Sequence, residues 1–577
     1  MKTKFGRVNS QSYGQKSVDR RAFLKQMSAV AAGAVGTSAV AGLFGAGKAS
    51  AQAVFNGKKF EPPIAKTIYG AVRGASQDGV ILFKGIPYAG PSTGANRFKP
   101  PVKLQPWTGV RDALMFGPET IQPRDSNLPG NSLTAPSDEY CQYLNVWTPM
   151  IRDGRKRPVM FYSHGGGFTT GNGGAEEFPE TEIHDGGALA RNYDVVVVTH
   201  NHRLGLLGYL YLGDILGEEY AASGCAGMLD IAAALQWVHD NIEEFGGDPN
   251  CVMIYGESGG GAKTSVLTAL PAAHGLFCRA SVESGSMIDA APGDRATELA
   301  RKVLAQLGLK ESNAKQLLTI PVEQLLAAQV AVDAFAGMPR PTRRAMTMDI
   351  FGFGPVLDGH FLPANPYDPG APAISANIPM MVGTNKDETN FMFMRQAAIY
   401  QMDKADLEQR ISDMFGDKAG KVLDVYRHSR PGATPTELFI AITTASMFWN
   451  NAIRMAERKA EQNAAPIYMY QFTYESNLLA NQDPPYPLKA SHAMEIPIKF
   501  DHPESPLLIG TNPDRFQAAL NMSHAWASFA HNGNPNFDGL PNWPAYTLDK
   551  RETMLLNAEC HVVSDPQHDE RELWKEL

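Results

Sequence analysis

A strand that runs straight into a glycine-flanked serine restricts this chain more than any other feature. Cys251–Tyr255 (C-V-M-I-Y) is a short apolar run, Gly256-Glu257-Ser258-Gly259-Gly260 follows it, and helical sequence comes next. In such a turn the serine sits on strained backbone, and side chains at the flanking positions would strike the adjoining strand and helix. The turn therefore needs a buried strand in front and a packed helix behind. Pro158–His164 (P-V-M-F-Y-S-H) and Asp194–His200 (D-V-V-V-V-T-H) are further unbroken apolar runs, suited to central strands buried on both faces. Arg279–Val282 reads as the next strand. Leu229–Phe245 has apolar residues at helical spacing and stops at Gly246–Gly247, and Thr264–Ala269 begins another helix. The alternation predicts an α/β fold with a central, mostly parallel sheet flanked by helices.

Upstream, residues 55–115 alternate short apolar runs with Gly/Pro turns and read as small β-hairpins, while 116–140 is a polar, Pro-rich loop. The stretches 295–335 and 402–465 are mainly helical and interrupt the strand pattern, so they are expected to roof the carboxyl edge of the sheet. There is no internal repeat and no low-complexity linker, which leaves residues 52–577 as one catalytic domain. At 577 residues and 44% hydrophobic content the chain can bury one large core.

Residues 1–51 are different in kind. Asp19–Lys25 (D-R-R-A-F-L-K) is followed by an Ala/Gly-rich, weakly apolar stretch from Met27 to Gly47, then by Lys48 and A-S-A-Q-A. Positive segment, apolar segment and small-residue cleavage site stand in register, as in a signal peptide, and the paired arginines match the twin-arginine type of bacterial export. Cleavage is expected after Ala51 or Ala53, with the mature chain periplasmic or secreted. Gly42–Ala49 (G-L-F-G-A-G-K-A) falls short of a phosphate-binding loop, because Ala49 replaces the required hydroxyl and no strand precedes it. The leader carries eight Lys/Arg and one acid, net +7, so a chain of net −8 leaves about −15 on the remainder. So acidic a body repels phosphate backbones and disfavours nucleic-acid binding. No later stretch reaches the unbroken apolar length of a membrane span, so no membrane insertion is expected after the leader is removed. The five cysteines are odd in number and widely spaced, without C-x-x-C or a zinc-like cluster, so at least one thiol is unpaired within the chain. No metal or organic cofactor is implied.

Two motifs carry chemistry. The pentapeptide around Ser258 is common by itself at this glycine content, but its strand–turn–helix context is that of a nucleophile elbow. His164-Gly165-Gly166-Gly167-Phe168 directly follows a predicted strand, and such a glycine loop can bring backbone N–H groups against a substrate oxygen. Gly166, Gly167 and Gly259 are the expected oxyanion donors.

With these motifs in view, the sequence is similar to the type-B carboxylesterase family, the group of bacterial esterases and cholinesterases. F-K-G-I-P-Y-A (Phe83–Ala89), R-F-K-P-P (Arg97–Pro101), W-T-G-V-R-D-A (Trp107–Ala113) and C-Q-Y-L-N-V-W-T-P (Cys141–Pro149) follow its order. So do H-G-G-G-F, N-H-R-L-G (Asn201–Gly205), F-G-G-D-P (Phe245–Pro249), the elbow, G-T-N-K-D-E (Gly383–Glu388) and F-A-H-N-G-N-P-N (Phe529–Asn536). The likeness spans roughly residues 66–547. It implies the α/β-hydrolase fold and a serine carboxylic ester hydrolase that works through an acyl-enzyme. It also implies Glu388 as the triad acid and His492, in K-A-S-H-A-M-E, as the base. The residues alone do not choose His492 over His502 or His524 among 14 histidines, and Asp387 competes with Glu388.

The chain departs from the family pattern at several points. Gly259 stands where Ala is usual. Thr120 replaces the cysteine that commonly pairs with Cys141, and Tyr140 and Gln142 flank Cys141 atypically. Thr389 replaces a Gly and His202 a Tyr. Residues 121–140 hold no Trp, where cholinesterases place their choline-binding ring, which disfavours choline recognition there. Two other readings stand beside the esterase: a non-catalytic binding protein on this fold, and an amide or carbamate hydrolase using the same residues. Short- to medium-chain or aryl esters are the expected small-molecule substrates. Asn390–Met394 (N-F-M-F-M) and Met447–Trp449 (M-F-W) could line an acyl pocket, although such stretches more often belong to the core.

Overall fold

The computed structural model describes residues 54–55, 58–59, 61–123, 136–174, 183–332, 352–480 and 485–577. The proposed leader at 1–51 lies outside them. The chain divides into a unit up to Glu61, in which Val54–Phe55 pairs antiparallel with Lys58–Lys59, and a unit from Pro62 to Leu577.

The second unit is organised on an 11-stranded sheet. In chain order its strands are β1 (Ala75–Gln77), β2 (Val80–Pro87), β3 (Tyr143–Thr148), β4 (Arg157–Ser163), β5 (Val196–His200) and β6 (Gly247–Glu257). They continue as β7 (Arg279–Glu283), β8 (Met380–Asn385), β9 (Ile467–Phe472), β10 (Glu552–Leu556) and β11 (His561–Ser564). The spatial order is β11-β10-β9-β8-β7-β6-β4-β5-β3-β2-β1. The run from β5 through β10 is parallel, and antiparallel strands close both edges.

The apolar runs behave as strands buried on both sides require. Along β6, Val252 and Ile254 enter one core layer while Met253 and Tyr255 enter the other. On β4, Val159 and Phe161 likewise oppose Met160 and Tyr162. The helix α1 (Ala226–Asn241) fills the first layer and ends through a short 3-10 turn at Gly246, whose φ of 79° is left-handed. With its flanking turns it is long and apolar enough to cross a membrane, but 83% of its apolar window is buried inside the fold.

The helix after the elbow, α2 (Gly259–Leu267), begins five residues before the expected Thr264, because the three glycines are themselves helical. The interrupting stretches are helical as expected: α3 (Gly293–Gln306) and α4 (Val322–Val332), then α5 (Lys404–Phe415), α6 (Ala419–Ser429), α7 (Pro435–Thr444) and α8 (Asn450–Glu461). They do not all form a roof. α8 flanks the sheet against β8 and β9, while the end of α7 and the π-helical turn Ala445–Trp449 reach the carboxyl edge, where Thr389 Oγ1 donates to Ile440 O (3.2 Å) and Phe448 packs near His492. The expected hairpins are present, Ile64–Thr67 with Gly70–Arg73 and β1 with β2. A last long helix, α9 (Arg515–Asn532), covers the second core layer.

Two fully buried ion pairs tie loops to this frame. Arg203 grips Asp230 of α1 with two hydrogen bonds of 2.8 and 2.7 Å, which fixes the N-H-R-L-G segment. Lys499 pairs with Glu283 at the end of β7, and Glu283 also accepts from Trp526 Nε1 (2.6 Å) and Ser281 Oγ (2.9 Å).

Candidate active site

Ser258 sits at the carboxyl end of β6 with φ 58° and ψ −123°, a backbone conformation that a non-glycine residue adopts only under strain. Two backbone hydrogen bonds hold it there: Ser258 N–H donates to Glu283 O (2.9 Å), and Ala262 N–H donates to Ser258 O (3.0 Å). The turn brings α2 hard against the loop after β4. A Cβ on Gly260 would lie 1.9 Å from Ser163 O, and one on Gly259 would lie 2.2 Å from Gly167 O. The unusual glycine after Ser258 is thus a steric requirement of this chain, since even alanine would collide.

The glycine loop is braced from behind by its carbonyls. Lys263 Nζ donates to His164 O (2.9 Å), His164 Nδ1 bonds Gly165 O (2.8 Å), and Thr170 N–H and Oγ1 both donate to Gly166 O (3.0 Å each). In a trans peptide the following N–H points opposite to its carbonyl, so this bracing turns the loop's amides the other way. Among the described residues, the N–H groups of Gly166, Gly167 and Gly259 have no acceptor. Gly166 and Gly167 have φ of 84° and 63°, which only glycine adopts readily. Lys263 is fully buried, with its ammonium also 5.9 Å from the Phe168 ring, and burial lowers its pKa to about 7. His202, at the position usually Tyr, packs 4.8 Å from the His164 ring and 5.3 Å from His200.

Glu388 and His492 come together from sequence positions 104 apart. Glu388 follows β8 and is fully buried, with Oε1 accepting Asn385 N–H (2.7 Å) and Oε2 lying 2.6 Å from His492 Nδ1. The other candidates are engaged elsewhere. The Asp387 carboxylate accepts the Ala490 N–H at 3.4 Å, His502 Nε2 bonds Asp185 O (2.7 Å), and His524 stacks on Phe537 at 3.8 Å. Ser258 Oγ has no hydrogen-bond partner among the described residues; His492 Nε2 stands 3.2 Å from Glu257 Oε1 instead.

Two further carboxylates escaped the sequence reading as site groups, although both lie in motifs already quoted. Glu257 precedes Ser258, and Glu495 follows His492 by three residues, accepting Asn385 Nδ2 at 2.6 Å. Burial raises both, Glu257 to about 8 and Glu495 to about 7. Burial alone would lower His492, but the neighbouring carboxylates, Glu257 and Glu388 foremost, outweigh it and raise the imidazole to about 10. Lys263 was missed too; only its position five residues after the serine could have flagged it.

The aromatic stretches divide between pocket and core. The rings of Phe448 and Phe391 lie 5.0 and 6.0 Å from His492, and Met392 packs with Met447 and Phe448 in a small cluster apart from the main core. Phe393 and Trp449 belong to the core.

A parallel sheet whose central strand delivers a strained serine, with a carboxylate-held histidine against the residue before it, is the arrangement of an α/β-hydrolase. The chain belongs to the carboxylesterase family, whose model matches residues 61–574, and it is a carboxylic ester hydrolase. It is 35% identical to the para-nitrobenzyl esterase of Bacillus subtilis over 515 residues, covering 88% of this chain and 98% of that one. It is 30% identical to the phenmedipham hydrolase of Pseudarthrobacter oxydans, covering 87% and 96%. Among solved structures, a Geobacillus stearothermophilus carboxylesterase superposes with a TM-score of 0.75 at 37% identity, covering 89% of this chain and 99% of its own.

Proposed function

We propose that Ser258, His492 and Glu388 hydrolyse short- to medium-chain or aryl esters through an acyl-enzyme, with Gly166, Gly167 and Gly259 as oxyanion donors. The observation that carries this reading is the Glu388–His492 hydrogen bond of 2.6 Å beside a strained serine faced by free loop amides. His492 Nε2 turns from Glu257 to Ser258 and takes its proton as Oγ attacks the ester carbonyl. The developing oxyanion is met by the three N–H groups, those of Gly166 and Gly167 oriented by the bracing behind the loop and that of Gly259 by the first turn of α2. His492 then gives the proton to the leaving alcohol, and water repeats the sequence to free the acid. Glu388 holds the Nδ1 tautomer and stabilises the imidazolium throughout.

The aryl preference is supported by Phe391, Phe448, Met392 and Met447, which offer aromatic and thioether surface next to His492. It also agrees with a relative named for para-nitrobenzyl esters and with a structural neighbour from Clostridium hathewayi described as hydrolysing aliphatic aromatic polyesters (32% identity, TM-score 0.71). Turnover of phenyl butyrate against butyranilide, and of acetate to dodecanoate esters, tests the substrate class. Ester turnover far above amide, falling at long acyl chains, is expected; a preference for the anilide or the longest chain would overturn it. The twin-arginine-type leader supports export, with an ester-hydrolysing protein outside the cytoplasm. Replacing Arg20 and Arg21 by Lys is expected to retain the enzyme inside the cell, and unchanged export would refute that route.

A further inference from the structure

Two cysteines and an arginine meet at the end of the sheet remote from Ser258. Cys251 lies near the start of β6, about 20 Å along the strand from the nucleophile, and Cys278 immediately precedes β7. Arg279 Nη1 contacts both sulfurs, 2.9 Å from Cys251 Sγ and 3.4 Å from Cys278 Sγ. The same guanidinium caps the carboxyl end of α9, donating to Ala530 O (2.6 Å) and His531 O (3.4 Å). Among the described residues it has no carboxylate partner, so its charge faces helix carbonyls and two thiols. Both cysteines are partly exposed, and the chain has only five.

The two sulfurs are chemically unequal. The adjacent Cys278 side chain and the Arg279 guanidinium outweigh burial and lower Cys251 to about 6, whereas Cys251 and burial raise Cys278. The remaining cysteines differ: burial pushes Cys141 up to about 12 and raises Cys225 and Cys560. Attack on a disulfide needs a thiolate with access, and closure needs a second thiol within reach. Cys278 N–H donates to Val252 O (2.8 Å), so the chains are paired one residue from Cys251. Both sulfurs touch the one Arg279 nitrogen and so share one space, and strand spacing with a one-residue offset puts the two Cα atoms about 6 Å apart, inside the span of a disulfide.

We propose that Cys251 and Cys278 form a dithiol site that reacts with low-molecular-weight disulfides and closes into an intramolecular disulfide. The Cys251 thiolate attacks one sulfur of the small disulfide, the S–S bond breaks, and one small thiolate leaves. Cys278 then attacks the Cys251 sulfur of the mixed disulfide and releases the second. The protons of the two cysteines end on the two small thiols, so the protein is oxidised by two electrons and the small disulfide reduced by two.

The test is intact mass and peptide mapping of the reduced mature protein after incubation with oxidised glutathione near neutral pH. The parent is expected to lose two hydrogens, yield one peptide cross-linked through Cys251 and Cys278, and retain three titratable thiols of five in denaturant. Cys278→Ser is expected to stop at a glutathione adduct on Cys251. Cys251→Ser and Arg279→Gln are expected to react at least about tenfold more slowly. A parent that stays fully reduced, holds a glutathione adduct without closing, or bridges through Cys141, Cys225 or Cys560 would overturn the proposal. The parent alone decides it if a variant does not fold.

Discussion

His492 Nε2 lies 3.2 Å from Glu257 Oε1, the carboxylate that immediately precedes Ser258, while its Nδ1 is held by Glu388. The imidazole is thus flanked by acids on both nitrogens. As the proposed base it must be neutral to take the Ser258 proton, so activity is expected to be lost as pH falls through its pKa. Nearby negative charge raises that pKa. Glu257→Gln removes one such charge, so the acidic limb of kcat/KM should move to lower pH, by about one unit or more. A limb that stays in place or moves upward would show that Glu257 does not act on His492 electrostatically.

The contact between Gly259 and Gly167 gives a steric prediction. Gly259→Ala places a methyl 2.2 Å from Gly167 O, so the loop must retreat from the nucleophile. Loss of one donor's alignment is expected to lower kcat about 10²-fold or more with KM little changed. Unaltered kcat would mean that the loop yields without cost.

Lys263 braces the glycine loop, the proposed oxyanion site, through His164 O. Lys263→Met keeps its length and removes the donor. We expect kcat to fall about 10- to 100-fold, as small misplacements near a reacting centre do, with weaker binding of a trifluoromethyl ketone that mimics the tetrahedral adduct. Lys263→Gln should recover part of both. Equal analogue affinity in parent and folded Met variant would remove Lys263 from the oxyanion site.

Much of this site was legible in the sequence because its parts are local. The elbow and the H-G-G-G-F loop are contiguous strings whose glycines answer to backbone geometry, so Ser258, Gly166, Gly167 and Gly259 could be named as candidates directly. The alternating layers of β4 and β6 were legible for the same reason: unbroken apolar runs leave no wet face. Glu388 and His492 were reached only through family resemblance, since nothing local separates His492 from His502 or joins it to an acid 104 positions away. Glu257, Glu495 and Lys263 stayed hidden because their effect comes from burial beside residues distant in sequence. The helix start at Gly259 was misplaced because three glycines argue against helix until the strand before them and the loop beside them fix the turn.

The Lys499–Glu283 pair is fully buried at the strand end whose backbone carbonyl holds Ser258 N–H. Lys499→Met strands a carboxylate without its cation and should cost about 3–5 kcal/mol of stability by urea unfolding. The double variant with Glu283→Gln should recover part of that loss. A midpoint unchanged in Lys499→Met would indicate that the pair contributes nothing.

The most direct measurement is hydrolysis of a chromogenic butyrate ester by the mature protein and by Ser258→Ala, with labelling by a fluorophosphonate in parallel. The account predicts that the parent turns over the ester and takes up one label on the peptide carrying Ser258. In the variant the label should be absent and kcat should fall by at least about 10⁴-fold. Equal turnover in the two proteins, or label on another residue, would contradict it.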